Sequence, residues 1–314
     1  MSGMSCATSQ QRAPHTYACP LRWGDLDMLG HTNNVRYFDY VQEARLELLT
    51  AAGLPVAAEA DHLVVVRHDV SFEAPLMFRE EPVTVESTVT EVGAARFVTE
   101  HTVLDRPGEA GAESPLVYFR ARSELCIADA GSGAPRRLTA PEADGLRNFA
   151  GPQQEPPLRT GPLSGGAPAS AAAYAVRTRW TDADAYGHVG NVSCVEYLQE
   201  ARLRMLGLER WAGHGGDLQQ AGGFENMLVV ARTALAYETP LRFRLQPYEV
   251  RSWVSRIGGA SFDVDSVVVD PLAPRPAEAP LLRGRVTLVG FDPEAQRSAA
   301  LTDGSRAVLQ RLQG

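Results

Sequence analysis

The residues with the greatest chemical potential in this chain occur twice, in the same order. Asp25-x-Asp27-x-x-Gly30-His31 runs into one helical stretch, and Asp182-x-Asp184-x-x-Gly187-His188 runs into another. A carboxylate beside a helix N-terminus can attack an acyl carbonyl without a serine. First-turn N–H groups and the helix dipole polarise the carbonyl oxygen. The carboxylate activates water, or attacks directly to form an anhydride. There is no Gly-x-Ser-x-Gly elbow, so a Ser-His-Asp hydrolase is not the leading reading. His31 and His188 can be bases, or can order the loop by a hydrogen bond. A metal bound by Asp25, Asp27 and His31 is disfavoured, because nothing in the pattern supplies further ligands.

The elements that must position these residues form a tandem repeat. At an offset of 157, Arg22–Leu46 and Arg179–Leu203 share 14 of 25 residues, ending in a common Gln-Glu-Ala-Arg-Leu. Further on, Val65-Val66-Arg67 resembles Val230-Ala231-Arg232, and Glu73-x-Pro75-Leu76 resembles Glu238-x-Pro240-Leu241. There the offset is 165, so the second copy carries eight more residues after its helix, placed at Trp211–Glu225. Ala150–Ala172 is rich in Pro, Gly, Ala and Ser without apolar periodicity, and reads as a linker. The expected domains are therefore 15–149 and 173–314, joined by 150–172.

Each copy opens with a short strand, Tyr17–Trp23 or Tyr174–Trp180, followed by the acidic loop. Tyr37, Val41, Ala44 and Leu48 then share one helical face, as do Cys194, Leu198, Ala201 and Met205. Asn33 or Asn34 suits the N-cap of the first helix and Asn191 that of the second. Gly53 and Gly207 suit the C-terminal ends. Four strands follow in each copy: Leu63–Phe72, Pro82–Glu91, Ala95–Leu104 and Leu116–Ile127, then Asn226–Tyr237, Tyr248–Ile257, Ala260–Asp270 and Leu281–Phe291. Alternating polarity in Val83–Val89 marks half-buried strands. The fold class is α+β, with each long helix packed across an antiparallel sheet.

This order, with the text Arg22-Trp23-x-Asp25-x-Asp27-x-x-Gly30-His31-x-Asn33-Asn34-x-x-Tyr37-x-x-Tyr40-x-x-Glu43-x-Arg45, resembles the 4-hydroxybenzoyl-CoA thioesterase-like branch of hotdog-fold acyl-CoA thioesterases. The resemblance covers nearly all of the chain outside the N-terminal tail and the linker. It implies two hotdog folds paired within one chain, an internal pseudo-dimer that leaves room for further pairing of chains. It implies an acyl-CoA or acyl-carrier-protein substrate, no metal and no cofactor. It places the catalytic carboxylate at Asp27 and at Asp184, and leaves Asp25 and Asp182 to hold the loop. In another hotdog branch a helix Glu does the chemistry, so Glu43 and Glu200 stand as second candidates, or else pair with Arg67 or Arg232. Asn33, Asn34, Asn191 and Tyr37 are expected substrate contacts at the junction of loop and helix. Arg67, Arg79, Arg232 and Arg242, in or near strands, are the cations available for phosphates. The sites should lie between the copies, with Asp27 facing the helix of copy two and Asp184 that of copy one. Asn33 and Tyr37 become Gly190 and Cys194 in copy two, which weights the reading toward Asp27. Cys194 has no His at a telling spacing, so a small core residue is the expectation. A dehydratase or hydratase on acyl thioesters, and a non-catalytic acyl-thioester binder, are the rival functions.

Composition narrows the field further. The 314 residues suit two domains, and 44% apolar with 22% charged residues is an ordinary globular balance. The net charge of -8 argues against nucleic acid and anionic membrane surfaces. All 30 basic residues are Arg, which removes Schiff-base and P-loop lysine chemistry. The four cysteines form no CxxC pair. With no apolar leader in Met1–Thr16 and no membrane-length apolar run, the expected location is cytoplasmic.

Overall fold

The structure, a computed structural model, describes residues 13–27, 30–54, 61–111, 113–158, 160–208, 224, 227–275, 279–292, 294–295 and 297–314. The insertion expected at Trp211–Glu225 lies outside the described residues except for Phe224, which is buried.

Copy one contains β1 (His15–Cys19), α1 (Arg36–Ala51), β2 (His62–Phe72), β3 (Val83–Val92), β4 (Arg96–Asp105), β5 (Leu116–Ala128), β6 (Pro135–Arg136) and α2 (Ala140–Arg147). Copy two contains β7 (Ala172–Val176), α3 (Asn191–Met205), β8 (Met227–Tyr237), β9 (Tyr248–Ile257), β10 (Ser261–Val269), β11 (Leu282–Asp292), β12 (Arg297–Ser298) and α4 (Asp303–Arg311). The strands form one antiparallel sheet in the order β1-β3-β4-β5-β2-β8-β11-β10-β9-β7. β6 extends β5, and β12 extends β11. This is the expected α+β pair of hotdogs, fused edge to edge.

The seam is β2 against β8, from Arg67 opposite Ala236 to Ser71 opposite Arg232. At its centre Asp69 faces Ala234, which is its own equivalent at the repeat offset of 165. The seam therefore sits on a pseudo-two-fold axis, as a symmetric dimer interface would.

The apolar stripes explain where the helices lie. Tyr37, Val41, Ala44 and Leu48 are buried, as are Cys194, Leu198 and Ala201, while Met205 is half-buried. α1 packs on β1 and β3, and α3 on β7 and β9. Their N-terminal halves join one apolar cluster drawn from both copies, including Phe38, Phe119, Val192 and Leu235. Separate clusters around Leu48 and around Phe262 fill the two outer ends. Gly53 and Gly207 end the helices in left-handed backbone, at φ 75° and 70°.

Three elements differ from the sequence reading. The first strand ends at Cys19, and Trp23–Asp25 is a 3-10 turn closed when Asp25 accepts the Arg22 N–H at 2.9 Å. α2 and α4 were not anticipated. The text for α2 was nonetheless present: Thr139 and Glu142 form a reciprocal capping box ahead of it. The linker segment is also fastened to the sheet. Thr160 donates its N–H to Asp69 at 3.0 Å, Gln154 donates to Glu100 at 2.6 Å, and Arg283 donates to the Ser164 carbonyl at 2.7 Å. No helix among the described residues is long and apolar enough to cross a membrane.

α2 docks through Gly145, where a Cβ would overlap the Ala52 carbonyl oxygen at the end of α1. Backbone cannot yield as a side-chain tip can, so Gly145→Ala is expected to cost about 1–3 kcal/mol. Thermal unfolding beside Gly161→Ala, whose Cβ would enter open space, checks this. Equal melting temperatures for the two variants would refute the docking argument.

Candidate active site

The two acidic loops have the same local build. Asp27 donates its N–H to the His31 carbonyl at 2.8 Å and accepts the His31 N–H on Oδ1 at 3.3 Å. Asp184 does the same with His188, at 2.7 and 3.0 Å, and also accepts the Tyr186 N–H at 2.9 Å. Gly30 and Gly187 turn the chain at φ 78° and 73°, a conformation that a side chain would strain. The histidines thus close the loops through their backbones rather than their rings. The first aspartate of each pair is engaged elsewhere. Asp25 accepts the Arg22 N–H and the Tyr40 hydroxyl, and Asp182 accepts the Arg179 N–H and the Tyr197 hydroxyl. Burial, followed by these aspartate bonds, pushes both phenols above their ordinary range and keeps them protonated.

The helix N-termini differ between the copies. Asn33 and Asn34 are not the N-cap of α1, which is Val35. Asn33 acts from just upstream, accepting the Val35 N–H on its side chain at 3.0 Å and the Arg36 N–H on its carbonyl at 2.8 Å. Asn34 lies half-buried in the same turn. In copy two the N-cap is Gly190, not Asn191, and it has no side chain to cap with. The N–H groups of Asn191, Val192 and Ser193 meet no acceptor among the described residues. The N–H groups of Val192 and Ser193 are therefore open beside the second loop, whereas their equivalents at the first, those of Val35 and Arg36, are taken by Asn33.

Copy two's loop is completed by copy one. The Tyr186 ring stacks on His62 of β2 at 4.1 Å, and His188 meets the same ring edge-on at 6.0 Å. Asn191, the first residue of α3, points its amide nitrogen at His68 Nε2, 3.4 Å away. His68 Nδ1 lies 2.9 Å from Ser123 Oγ. With the amide donating to Nε2, the His68 proton sits on Nδ1 and is donated to Ser123. Tyr237 donates its hydroxyl to the Asn191 carbonyl at 3.1 Å. Arg36 of α1 bonds Glu196 of α3 at 2.8 Å, so the two helices also meet. At the repeat offset, His62 and His68 correspond to Met227 and Thr233, so the two loops face unlike strands.

Electrostatics sharpen these contacts. Burial lowers the His188 pKa, Asp184 opposes the shift, and Arg242 and His62 add to it. Burial holds His68 well below the ordinary histidine range, with Arg45 and His101 pushing the same way. Tyr37 and Cys194 occupy equivalent positions, each within the field of the second aspartate of its own copy. Burial pushes the Cys194 thiol up to about 12, which leaves it a small core residue rather than a thiolate.

Several expected site residues lie elsewhere. Tyr37 is core: its hydroxyl accepts the Leu76 N–H at 3.2 Å and its ring stacks on Phe119 at 5.0 Å. Glu43 and Glu200 are exposed, one position off the buried stripe, and pair with neither Arg67 nor Arg232. Glu43 instead lies near Tyr17 and Cys19. Arg67 is held by Asp69 at 2.7 Å and by the Thr160 carbonyl at 2.9 Å. It faces away from the helices, because its neighbour His68 faces Phe38 of α1 and strand residues alternate. Arg232 faces away likewise, since its neighbour Thr233 is buried beside the inward Leu235. In both strands a register shift places one extra residue just before the arginine, Val66 or Ala231, and turns it from the inner to the outer face. Arg79 is paired with Asp105, and Arg242 alone of the four arginines stays at a loop, bridged to His188.

The sequence reading missed His62, His68, Tyr186 and Tyr237. None lies in the doubled motif with a matching partner, and only long-range strand pairing brings them to the loop. It also gave no role to Arg45 and Arg202, the arginines of the repeated Gln-Glu-Ala-Arg-Leu. Both are buried, which pulls each guanidinium down to about 10.

Comparison with known proteins agrees with this architecture. The profile of the thioesterase-like superfamily matches residues 21–148 and again 178–309. Among solved structures, a protein described as an oleoyl thioesterase from Lactobacillus plantarum superposes with a TM-score of 0.69 at 11% identity, over 90% of this chain and 98% of that one. The 12:0-ACP thioesterase from Umbellularia californica gives 0.65 at 15% identity, over 88% and 92%. An acyl-ACP thioesterase from Bacteroides thetaiotaomicron gives 0.62 at 14% identity, over 87% and 96%. At these identities the likeness is one of fold. No curated protein sequence matches the chain. Both halves carry the superfamily profile over most of their length, and the chain belongs to the thioesterase-like superfamily.

Proposed function

We propose that the protein hydrolyses an acyl thioester, on coenzyme A or a carrier protein, to a free acid and a thiol. The observation that carries this is a loop carboxylate beside a helix N-terminus whose first N–H groups have no acceptor among the described residues, as at Asp184 and α3. The thioester oxygen takes those N–H groups, which stabilise the developing oxyanion. The aspartate removes a proton from water as the water oxygen bonds to the carbonyl carbon. Collapse of the tetrahedral adduct breaks the carbon–sulfur bond, and the thiolate leaves and takes up the proton. Direct attack by the carboxylate, giving an anhydride that water then opens, uses the same groups. Asp27 is the equivalent carboxylate of copy one. The solved neighbours named for oleoyl and acyl-ACP substrates support a fatty acyl group.

Free-thiol release from a panel of acyl-CoAs and acyl-carrier proteins tests this reading. The Asp27→Asn, Asp184→Asn double variant is expected to lose about 10²–10⁴ of turnover, the usual share of a positioned acid or base. Undiminished release in that variant would remove both aspartates from the mechanism. A change in enoyl absorbance without thiol release would favour a hydratase instead.

A further inference from the structure

The two loops open on rims of opposite charge. Around the second loop, Arg177 and Arg179 flank Thr178, whose hydroxyl donates to the Arg244 carbonyl at 2.6 Å and accepts the Arg244 N–H at 3.2 Å. That bonding sets 177–179 beside 242–244, and Arg242 is bridged to His188 of the loop itself. Arg177, Arg179 and Arg242 are exposed, and none has a carboxylate partner among the described residues. Arg244 is engaged by Asp270. Trp180, 80% exposed, meets Phe243 edge-on in the middle of this rim, and Leu245 beside them is 81% exposed.

The same backbone in copy one carries different side chains. Arg177 corresponds to Pro20, Arg242 to Met77, Leu245 to Glu80 and Gln246 to Glu81. Glu80 and Glu81 are exposed and have no ion-pair partner among the described residues. Arg79 is engaged by Asp105, leaving Arg22 as the uncompensated cation. The aromatic pair is retained, as Trp23 against Phe78, with Trp23 75% exposed. The aromatics therefore do not distinguish the rims, but charge does: three free cations at one, and one cation with two carboxylates at the other.

Resting on the thioesterase reading, we propose that the second rim receives the phosphate of a phosphopantetheine thioester, the first rim repels it, and hydrolysis takes place at Asp184. Arginine forks suit phosphate oxygens in geometry and charge. Fields from exposed charges act within about 10 Å at moderate ionic strength, and Arg242 is bridged to His188, so the second rim acts on the loop it borders. The free N–H groups of Val192 and Ser193 give an independent reason for the same choice of loop. Rim charge and helix opening together reverse the weighting toward Asp27 that Gly190 and Cys194 suggest in the sequence.

The test compares Arg177→Gln, Arg242→Gln with wild type on acyl-CoA, acyl-phosphopantetheine, acyl-carrier protein and the phosphate-free acyl-N-acetylcysteamine. The kcat/KM ratio of acyl-CoA over acyl-N-acetylcysteamine is expected to fall at least tenfold, and the salt dependence of KM for acyl-CoA to flatten. A matching fall with acyl-phosphopantetheine assigns recognition to the phosphate of the arm. A fall confined to acyl-CoA supports the rim and assigns the nucleotide phosphates. A fall confined to the carrier protein, an unmoved ratio, or an equal fall in Arg22→Gln overturns the proposal. Calorimetric titration with coenzyme A separates this from the hydrolysis reading. If no thioester turns over but the double variant still binds coenzyme A at least tenfold more weakly, hydrolysis fails and the rim stands. Equal affinities overturn the rim.

Discussion

Gly190→Asn is expected to lower turnover by about 10²–10³, the usual effect of losing one oxyanion donor, while making the fold slightly more stable. In copy one, Asn33 takes the Val35 N–H into a side-chain bond of 3.0 Å. Gly190 holds the equivalent place, at φ -58° and ψ 150°, which any residue adopts. A Cβ there would meet only the Asp182 carbonyl oxygen, at an ordinary 3.6 Å. The introduced carboxamide can therefore cap Val192 as Asn33 caps Val35, and capping adds a few tenths of a kcal/mol over glycine. Stability and activity are thus expected to move apart. Thiol release with thermal unfolding on the same samples decides it, and Gly190→Ala, which adds bulk without an acceptor, should lose less than tenfold. Full turnover in the asparagine variant would mean that the opening of α3 is not where the carbonyl oxygen binds.

Acid should unfold the protein well above the range in which its carboxylates titrate. His68 and His101 are fully buried and held neutral. His101 lies between Ser87 Oγ at 2.8 Å and Thr99 Oγ1 at 2.9 Å, and burial with the Arg45 charge pushes its pKa down to about 3. In the unfolded chain both rings titrate near 6.5. Below that pH the unfolded state binds protons that the native state refuses. The stability they contribute is fully present above about pH 6.5 and is lost as pH falls toward the native values. Each ring should remove up to about 1.4 kcal/mol per pH unit, or on the order of 3 kcal/mol for the pair between pH 6.5 and 5. Urea unfolding at several pH values reads this directly. His101→Gln should halve the slope, and a flat profile down to pH 5 would show that neither imidazole stays neutral.

The fold was largely legible because its signals are local. Val83–Val89 alternates, Tyr37 to Leu48 forms a stripe, and the doubled loop text marks both copies. The build of the loop was legible for the same reason: Asp27 and Asp184 meet the following residues through bonds within four positions. What failed depended on one-residue shifts or on distant partners. A bulge at Val66 and at Ala231 turns Arg67 and Arg232 to the outer face, and no pattern of polarity reveals such an insertion. Asn191 reads as a cap, yet Gly190 takes that place and leaves the amide for His68, which is 123 residues away. α2 is written in local text, since Thr139-x-x-Glu142 announces a helix.

The pairing of Asp69 with Ala234 at the centre of the seam has a consequence for how such a chain can diverge. In an assembly of two identical subunits the residue on the axis must face itself. An aspartate there would meet a second aspartate, and like charges directly opposite on a sheet are destabilising. Joining the halves covalently lifts that restriction. One side keeps the acid, which holds Arg67 and Thr160, and the other keeps a methyl group. The same liberty extends outward to His68 against Thr233 and to Arg242 against Met77. A change that once had to serve both mouths could now be made at one, so that one loop could specialise while the other served as scaffold.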